Sequence, residues 1–216
     1  MNLSFRNTQV PPEEKPFHIM LASQSIGRRM LLEKLGIIFK TVVTNVDEEA
    51  IIDKDPMKTI QKRAAAKSEE ILKNPRVYMV PAEGRVLIIC ADSMAILGTK
   101  IFGKSLDKDM TKTMLKDLMG KTHTFVTAVK ITQLLNGKVV KQWTGLEKTK
   151  VTMRKMTGPE VEAYTNRYDF SRFAAGYALN EMPWDLVTKV DGSYTNVIGL
   201  PFEHLLPILR KLEIIV

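Results

Sequence analysis

Histidine and cysteine are scarce in this chain, at three and one among 216 residues. So few soft ligands leave no zinc-site spacing, which excludes a structural zinc module. The lone thiol, Cys90, cannot form an intramolecular disulfide and favours a reducing compartment, so a cytoplasmic location is expected. It lies inside an apolar run, where a buried inert thiol is expected and not a nucleophile. Long hydrophobic runs are also missing. The longest, Val86 to Ala91, falls far short of the roughly 20 residues that cross a bilayer, so no membrane span is expected. Residues 1–16 hold Pro11, Pro12, Pro16 and Glu13-Glu14 but no apolar stretch, and read as a flexible leader, not a secretory signal. There is no Arg-rich tract and no alternation of aromatic and basic residues of the kind that grips single strands of nucleic acid. The net charge of +8 is instead scattered among acids, which favours phosphorylated small molecules as partners.

What is present suffices for one sizeable core: 44% of the residues are apolar, and one domain or two closely joined lobes fit the length better than independent modules. Its most informative stretch is LASQSIGRRMLL, residues 21–32. An apolar strand over residues 17–22 should lead through a hydroxyl-bearing turn into a helix capped by Ser25. The hydroxyls of Ser23 and Ser25, the free N–H groups of the first turn and the guanidinium of Arg28 then converge as donors suited to a phosphate. An ordinary capped helix would show the same pattern.

Further along, residues 37–44 read as a strand ending in the acidic turn Asn45-Val46-Asp47-Glu48-Glu49. Asp55-Pro56 is a helix start, and Met57, Ile60, Ala64 and Ile71 supply an apolar face on a helix that also carries Lys67. The run from Arg85 to Ala91 reads as a central buried strand, with Asp92 expected at its end. A hairpin over residues 95–102, a helix opened by Asp107, two long strands joined by Asn136-Gly137, and a capping box at Thr157 and Glu160 follow. Asn196, Gly199 and Pro201 are expected in a loop before a last helix. Helices and strands alternate without a strict rhythm, so an α/β fold with a mixed sheet is expected.

Residues 98–105, GTKIFGKS, match the phosphate-loop pattern G-x-x-x-x-G-K-[ST] letter by letter. The match is expected to be coincidental. A true phosphate loop starts its helix at the Gly-Lys, whereas here the helix cap falls at Asp107 and would place a carboxylate where phosphate oxygens belong. Ile101 and Phe102 also suit a strand edge better than a cradle of amides. Lys104 remains a candidate phosphate cation, as a point charge at a strand end.

Four segments in order, LASQSIGRRMLL, VDEE, IICADSMAILGTKIFGKS and DGSYTNVIGLPFEHLLPIL, together resemble the Maf family of nucleoside triphosphate pyrophosphatases, over about residues 19–212. The resemblance implies an elongated two-lobed α/β fold with a central mixed sheet, related to the inosine triphosphatases. It implies cleavage between the α- and β-phosphates to a monophosphate and pyrophosphate with Mg²⁺ or Mn²⁺, and it allows a homodimer. The family's Ser-x-x-Arg turn falls on Ser25 and Arg28, its acid pair on Asp47 and Glu48, its helical lysine on Lys67 and its catalytic Asp on Asp92, with Lys104 in the Gly-Lys element. In this reading Ser23, Ser25, Arg28, Lys67 and Lys104 bind phosphates, Asp92 activates water, and Glu48 with Asp92 holds the metal. Three positions that sort nucleobases depart from the family: Gly27, Ser93 and Asn180, with Phe173 where one subfamily has Lys. No base preference is carried over. Two other readings stay open, a phosphate-loop NTPase releasing orthophosphate and a nucleotide-binding regulator without turnover.

Overall fold

A computed structural model describes residues 16–105, 107–181, 183 and 185–216. The expected leader lies outside the described residues, apart from Pro16. A seven-stranded mixed sheet runs in the order β2-β1-β3-β5-β6-β7, with β4 paired to β3. Strands β1 (His18–Ala22), β2 (Phe39–Val42) and the first half of β3 (Arg85–Leu97) are parallel; β4 (Lys100–Phe102), β5 (Thr122–Leu135), β6 (Lys138–Met153) and β7 (Val187–Asp191) join antiparallel. The mixed sheet expected from the irregular rhythm is therefore present.

Strand β3 is covered on both faces, and that is why it reads as a continuous apolar run. Leu87, Ile89 and Ala91 pack with Leu31 and Leu32 of α1 (Ile26–Lys34) and Leu205 and Leu209 of α6 (Phe202–Lys211). Val86, Ile88 and Cys90 turn the other way, toward Ile71 of α2 (Pro56–Lys73). Each of these fully buried Leu and Ile side chains contributes roughly 1.5–3 kcal/mol. Cys90 is fully buried, and burial pushes its thiol up to about 12, so it is the inert core residue expected. Beyond these layers, α3 (Lys108–Leu118) and α4 (Gly158–Arg167) cover the far end of β3, β5 and β6.

Local signals placed most of these elements. Ser25, Asp55, Asp107 and Thr157 each cap a helix with the side chain, Thr157 in a full capping box with Glu160. Asn136 and Gly137 both take positive φ, as the two-residue turn between long strands requires. Two expectations need correcting. Residues 194–198, expected in a loop, form the short helix α5 (Tyr194–Ile198), capped by Ser193 and closed by Gly199 at φ +110°. Asp92 does not end its strand, because β3 continues to Leu97. What ends is its neighbour: β1 stops pairing at Cys90 and β4 starts at Ala95, while β5 pairs the whole stretch on the other side. Residues 91–94 thus present one unpaired edge inside a buried sheet.

Candidate active site

That edge builds the site. The carbonyl of Ala91, left without a strand partner there, accepts from Nη1 of Arg28 at 2.9 Å and from Nζ of Lys67 at 3.2 Å. Strand alternation then sends the next two side chains to opposite faces. Asp92 turns toward α2, where Nη1 of Arg63 stands 3.9 Å from its Oδ2. Ser93 turns toward α1 and α5, where it accepts from Nη2 of Arg28 at 2.8 Å.

Arg28 is buried, with four hydrogen bonds: Nε to the carbonyl of Gly199 at 2.7 Å, Nη1 to Ser23 Oγ at 3.0 Å and to Ala91, and Nη2 to Ser93. A guanidinium has five N–H donors, so one is left for a ligand. Its burial lowers its pKa, opposed by the charges of Asp92 and Glu48, and it stays a fixed cation. Ser25 accepts from the backbone N–H of Arg28 at 3.3 Å, and Ser23 accepts from that of Ser25 at 3.1 Å. The hydroxyl turn therefore shapes and caps the helix start, with Ser25 on the pocket wall.

Lys67 departs from the solvated helix charge that its position would ordinarily be. It lies in the same stripe as Ile60, Ala64 and Ile71, is 5% exposed, and pairs with Glu48 at 2.6 Å. A lysine on the buried face of an amphipathic helix needs such a partner. Glu48, which the family resemblance pointed to, thus comes to line the same space. Asp92 Oδ2 is buried without a hydrogen bond, and burial, with some help from Glu48, raises the Asp92 pKa against the pull of Lys67 and Arg28. Lys104 lines the same space. Its ammonium has no hydrogen-bond or ion-pair partner among the described residues, and its pKa is lowered first by lost solvation and then by Arg28.

These groups line a cavity of about 280 Å³ with an adjoining one of about 170 Å³ that shares Arg28, Glu48, Asp92 and Lys104. The larger cavity has a charged part, with Arg28, Arg63, Lys104, Glu48 and Asp92, and an apolar and aromatic part, with Phe125, Phe173, Tyr177, Val197, Ile198 and Asn180. Gly27 does not line it. A Cβ there would lie 2.8 Å from Ile198 Cγ2 and 2.9 Å from the Ile198 carbonyl, so the missing side chain lets α5 press against α1. Ser93 lines the pocket and also anchors it. Because Thr127 Oγ1 donates to the carbonyl of Asn196 at 3.0 Å, the Ser93 hydroxyl must donate to Thr127 at 2.9 Å, extending a line of donors from Arg28 to α5.

Two participants escaped the sequence reading. Arg63, one turn before Lys67, faces Asp92, and only the i, i+4 spacing on α2 could have signalled it. Tyr177 is held by His123, whose Nε2 lies 2.8 Å from the Tyr177 hydroxyl. Residues 98–102 form the β3–β4 turn and strand β4, Gly103-Lys104-Ser105 continue beyond it with Lys104 in an isolated bridge to Ala174, and the helix cap falls at Asp107, so the phosphate-loop match is coincidental as expected.

A divalent cation is testable against these donors. Among the described residues no group of three or more His, Cys, Asp or Glu side chains forms a ready cage. Magnesium, however, commonly takes one or two carboxylates and fills its shell with water and substrate phosphate. The unbonded Oδ2 of Asp92 and the neighbouring Glu48 fit that demand.

Fold and pocket define an α/β protein with a recessed site that is charged in one part and apolar and aromatic in the other. The model of the Maf-like protein family matches residues 18–212, and the chain belongs to the Maf family. A protein named dTTP/UTP pyrophosphatase from Thermoanaerobacter sp. (strain X514) is 32% identical over 193 residues, covering 89% of this chain and 95% of that one. One of the same name from Pyrococcus furiosus is 34% identical over 198 residues, covering 91% and 94%. Among solved structures, a HAM1 protein from Coxiella burnetii aligns at 12% identity with a TM-score of 0.44, covering 91% of this chain and 100% of that one.

Proposed function

We propose that this chain is a nucleoside triphosphate pyrophosphatase, hydrolysing its substrate between the α- and β-phosphates to a monophosphate and pyrophosphate. The observation that carries the reading is the buried, unbonded Oδ2 of Asp92 in a pocket with Arg28, Arg63, Lys67 and Lys104 around it. A carboxylate made more basic by burial is suited to take a proton from water, and the cations offset the charge that develops on the phosphates. Residues 17–216 form the catalytic domain in this reading, with the triphosphate in the charged part of the cleft and the base between the aromatic walls.

Arg28 offers its one spare N–H and its fixed charge to the phosphate nearest Asp92. Lys104, whose ammonium has no partner among the described residues, is the cation most free to meet an anion. Tyr177 and Phe173 provide ring faces for the base, and the amide of Asn180 can both donate to and accept from a base edge. Asp92 and Glu48 would hold Mg²⁺ or Mn²⁺, which when bound polarises phosphoryl oxygens and neutralises their charge. A cytoplasmic enzyme is consistent with the single buried thiol, and among the described residues no helix is long and apolar enough to cross a membrane.

The relatives' names make dTTP and UTP the first substrates to try. The test is parallel assay of pyrophosphate and orthophosphate from dTTP, UTP and a panel of ordinary and modified nucleotides, with Mg²⁺ or Mn²⁺. Pyrophosphate is expected, and Asp92→Asn should lower its release roughly 10²-fold or more. Orthophosphate alone would overturn the reading, and binding without any release would make the protein a regulator.

A further inference from the structure

Arg63 and Lys67 lie one turn apart on α2, and each is held by one of two consecutive glutamates of the 45–51 segment. The two holds differ. Lys67 is bound to Glu48 at 2.6 Å and also donates to the carbonyl of Ala91. Arg63 pairs end-on with Glu49, Nη1 to Oε1 at 3.4 Å and Nη2 to Oε2 at 3.2 Å, and its Nε donates to the carbonyl of Ile51 at 3.2 Å. The Arg63 side chain is 12% exposed while that of Glu49 is 80% exposed. An exposed carboxylate is a weak and readily displaced partner.

The guanidinium is therefore fixed at the pocket wall by its stem and by Ile51, with its Nη1/Nη2 end, a two-donor fork that suits a phosphate, occupied by a replaceable anion. Its Nη1 is also 3.9 Å from Asp92 Oδ2, too far for a hydrogen bond. Direction follows from strand alternation. Ser93, Arg28 and Ile198 of the apolar wall lie on the α1 and α5 side of β3, whereas Asp92 meets Arg63 on the α2 side. A nucleotide with its base against α5 and its reacting phosphate at Asp92 would carry its outer phosphates toward α2.

Resting on the pyrophosphatase reading, we propose that Arg63 binds the β- and γ-phosphates and the pyrophosphate they become, and that Glu49 occupies it in the free protein as a competing anion. Binding exchanges one carboxylate partner for a polyphosphate, and the carboxylate swings back as pyrophosphate leaves.

The test is calorimetric titration of the full chain with inorganic pyrophosphate, and separately with UMP, in metal-free buffer containing EDTA. Arg63→Met should weaken pyrophosphate binding by roughly tenfold or more while leaving UMP unchanged, and Arg63→Lys should restore part of the loss. Glu49→Gln should act the opposite way and tighten pyrophosphate several-fold. This variant lies at an exposed turn, so it decides the matter even if Arg63→Met fails to fold. Unchanged pyrophosphate affinity in Arg63→Met, equal weakening of UMP, or weaker binding in Glu49→Gln would each overturn the proposal. Its fate is separate from that of the activity: an Arg63-dependent pyrophosphate site without turnover would sink the pyrophosphatase reading, and turnover with an Arg63-independent site would sink only this one.

Discussion

Nη2 of Arg28 donates to Oγ of Ser93 at 2.8 Å, and Ser93 passes a hydrogen bond on to Thr127, which donates to the carbonyl of Asn196. One buried arginine thus ties α1, the open edge of β3 and α5 into a single frame around Asp92. Replacing Arg28 by Met strands the acceptors on Gly199 and Ser93, and leaves Ala91 and Ser23 with one donor each, Lys67 and the backbone N–H of Ser25. At roughly 1–3 kcal/mol for each buried group left unpaired, a loss of about 3 kcal/mol or more is expected in urea denaturation. Ser93→Ala should lose only about 1 kcal/mol.

Asp92 should show activity and stability pulling apart. Its pKa is raised, chiefly by burial, so between the ordinary 3.8 and its folded value the native state holds more protons than the unfolded one, and stability falls as pH rises. Asp92→Asn removes that penalty. The variant should melt higher at pH 7, with the gain shrinking as pH drops toward 3.8, while turnover falls roughly 10²-fold or more. Lower melting at pH 7 would make the carboxylate a structural anchor.

Lys104 has no partner to abandon among the described residues, so Lys104→Ala should leave the melting temperature within a degree or two of its starting value, corresponding to about ±0.5 kcal/mol. Nucleotide affinity should fall about tenfold. Loss of folding would mark the lysine as structural.

His123 lies under Tyr177, and burial lowers its pKa to about 4. Below the ordinary value of 6.5 the unfolded chain takes up a proton that the folded chain refuses, so stability is lost as pH falls from 6.5 toward 4, by about 3 kcal/mol at most. His123→Gln, which can still meet the Tyr177 hydroxyl, should flatten this acid limb. Urea midpoints at pH 7 and pH 4.5 for both proteins give the comparison.

Gly27→Ala should cost about 1–3 kcal/mol, since the new Cβ would meet both the side chain and the carbonyl of Ile198. Adding Ile198→Ala should recover only part of it, because the carbonyl stays. Full recovery would mean that α5 shifts freely.

Much of the fold was legible because its signals are local. Caps at Ser25, Asp55, Asp107 and Thr157, the Asn136-Gly137 turn and the stripe of Ile60, Ala64 and Ile71 act over a few residues and need no knowledge of the rest. Helix α5 was missed because five residues carry too little periodicity to be heard. Asp92 was expected at a strand end because the apolar run stops there; the strand itself continues, since β5 goes on pairing it past the end of β1.

By itself, the sequence determined which residues are candidates for the chemistry: a turn with Ser25 and Arg28, the acid Glu48, Lys67 on a helix, Asp92 after a buried run and Lys104 beyond it. Their meeting, and their unequal freedom to act, was decided by tertiary structure. Whether a cation is committed or available depends on what packs against it: Arg28 has four acceptors drawn from three other segments, Lys67 is buried on Glu48, Arg63 is held by an exposed glutamate, and Lys104 faces the pocket with no partner among the described residues. Desolvation and partner geometry set those differences, and both arise only when distant segments close around the open edge of β3.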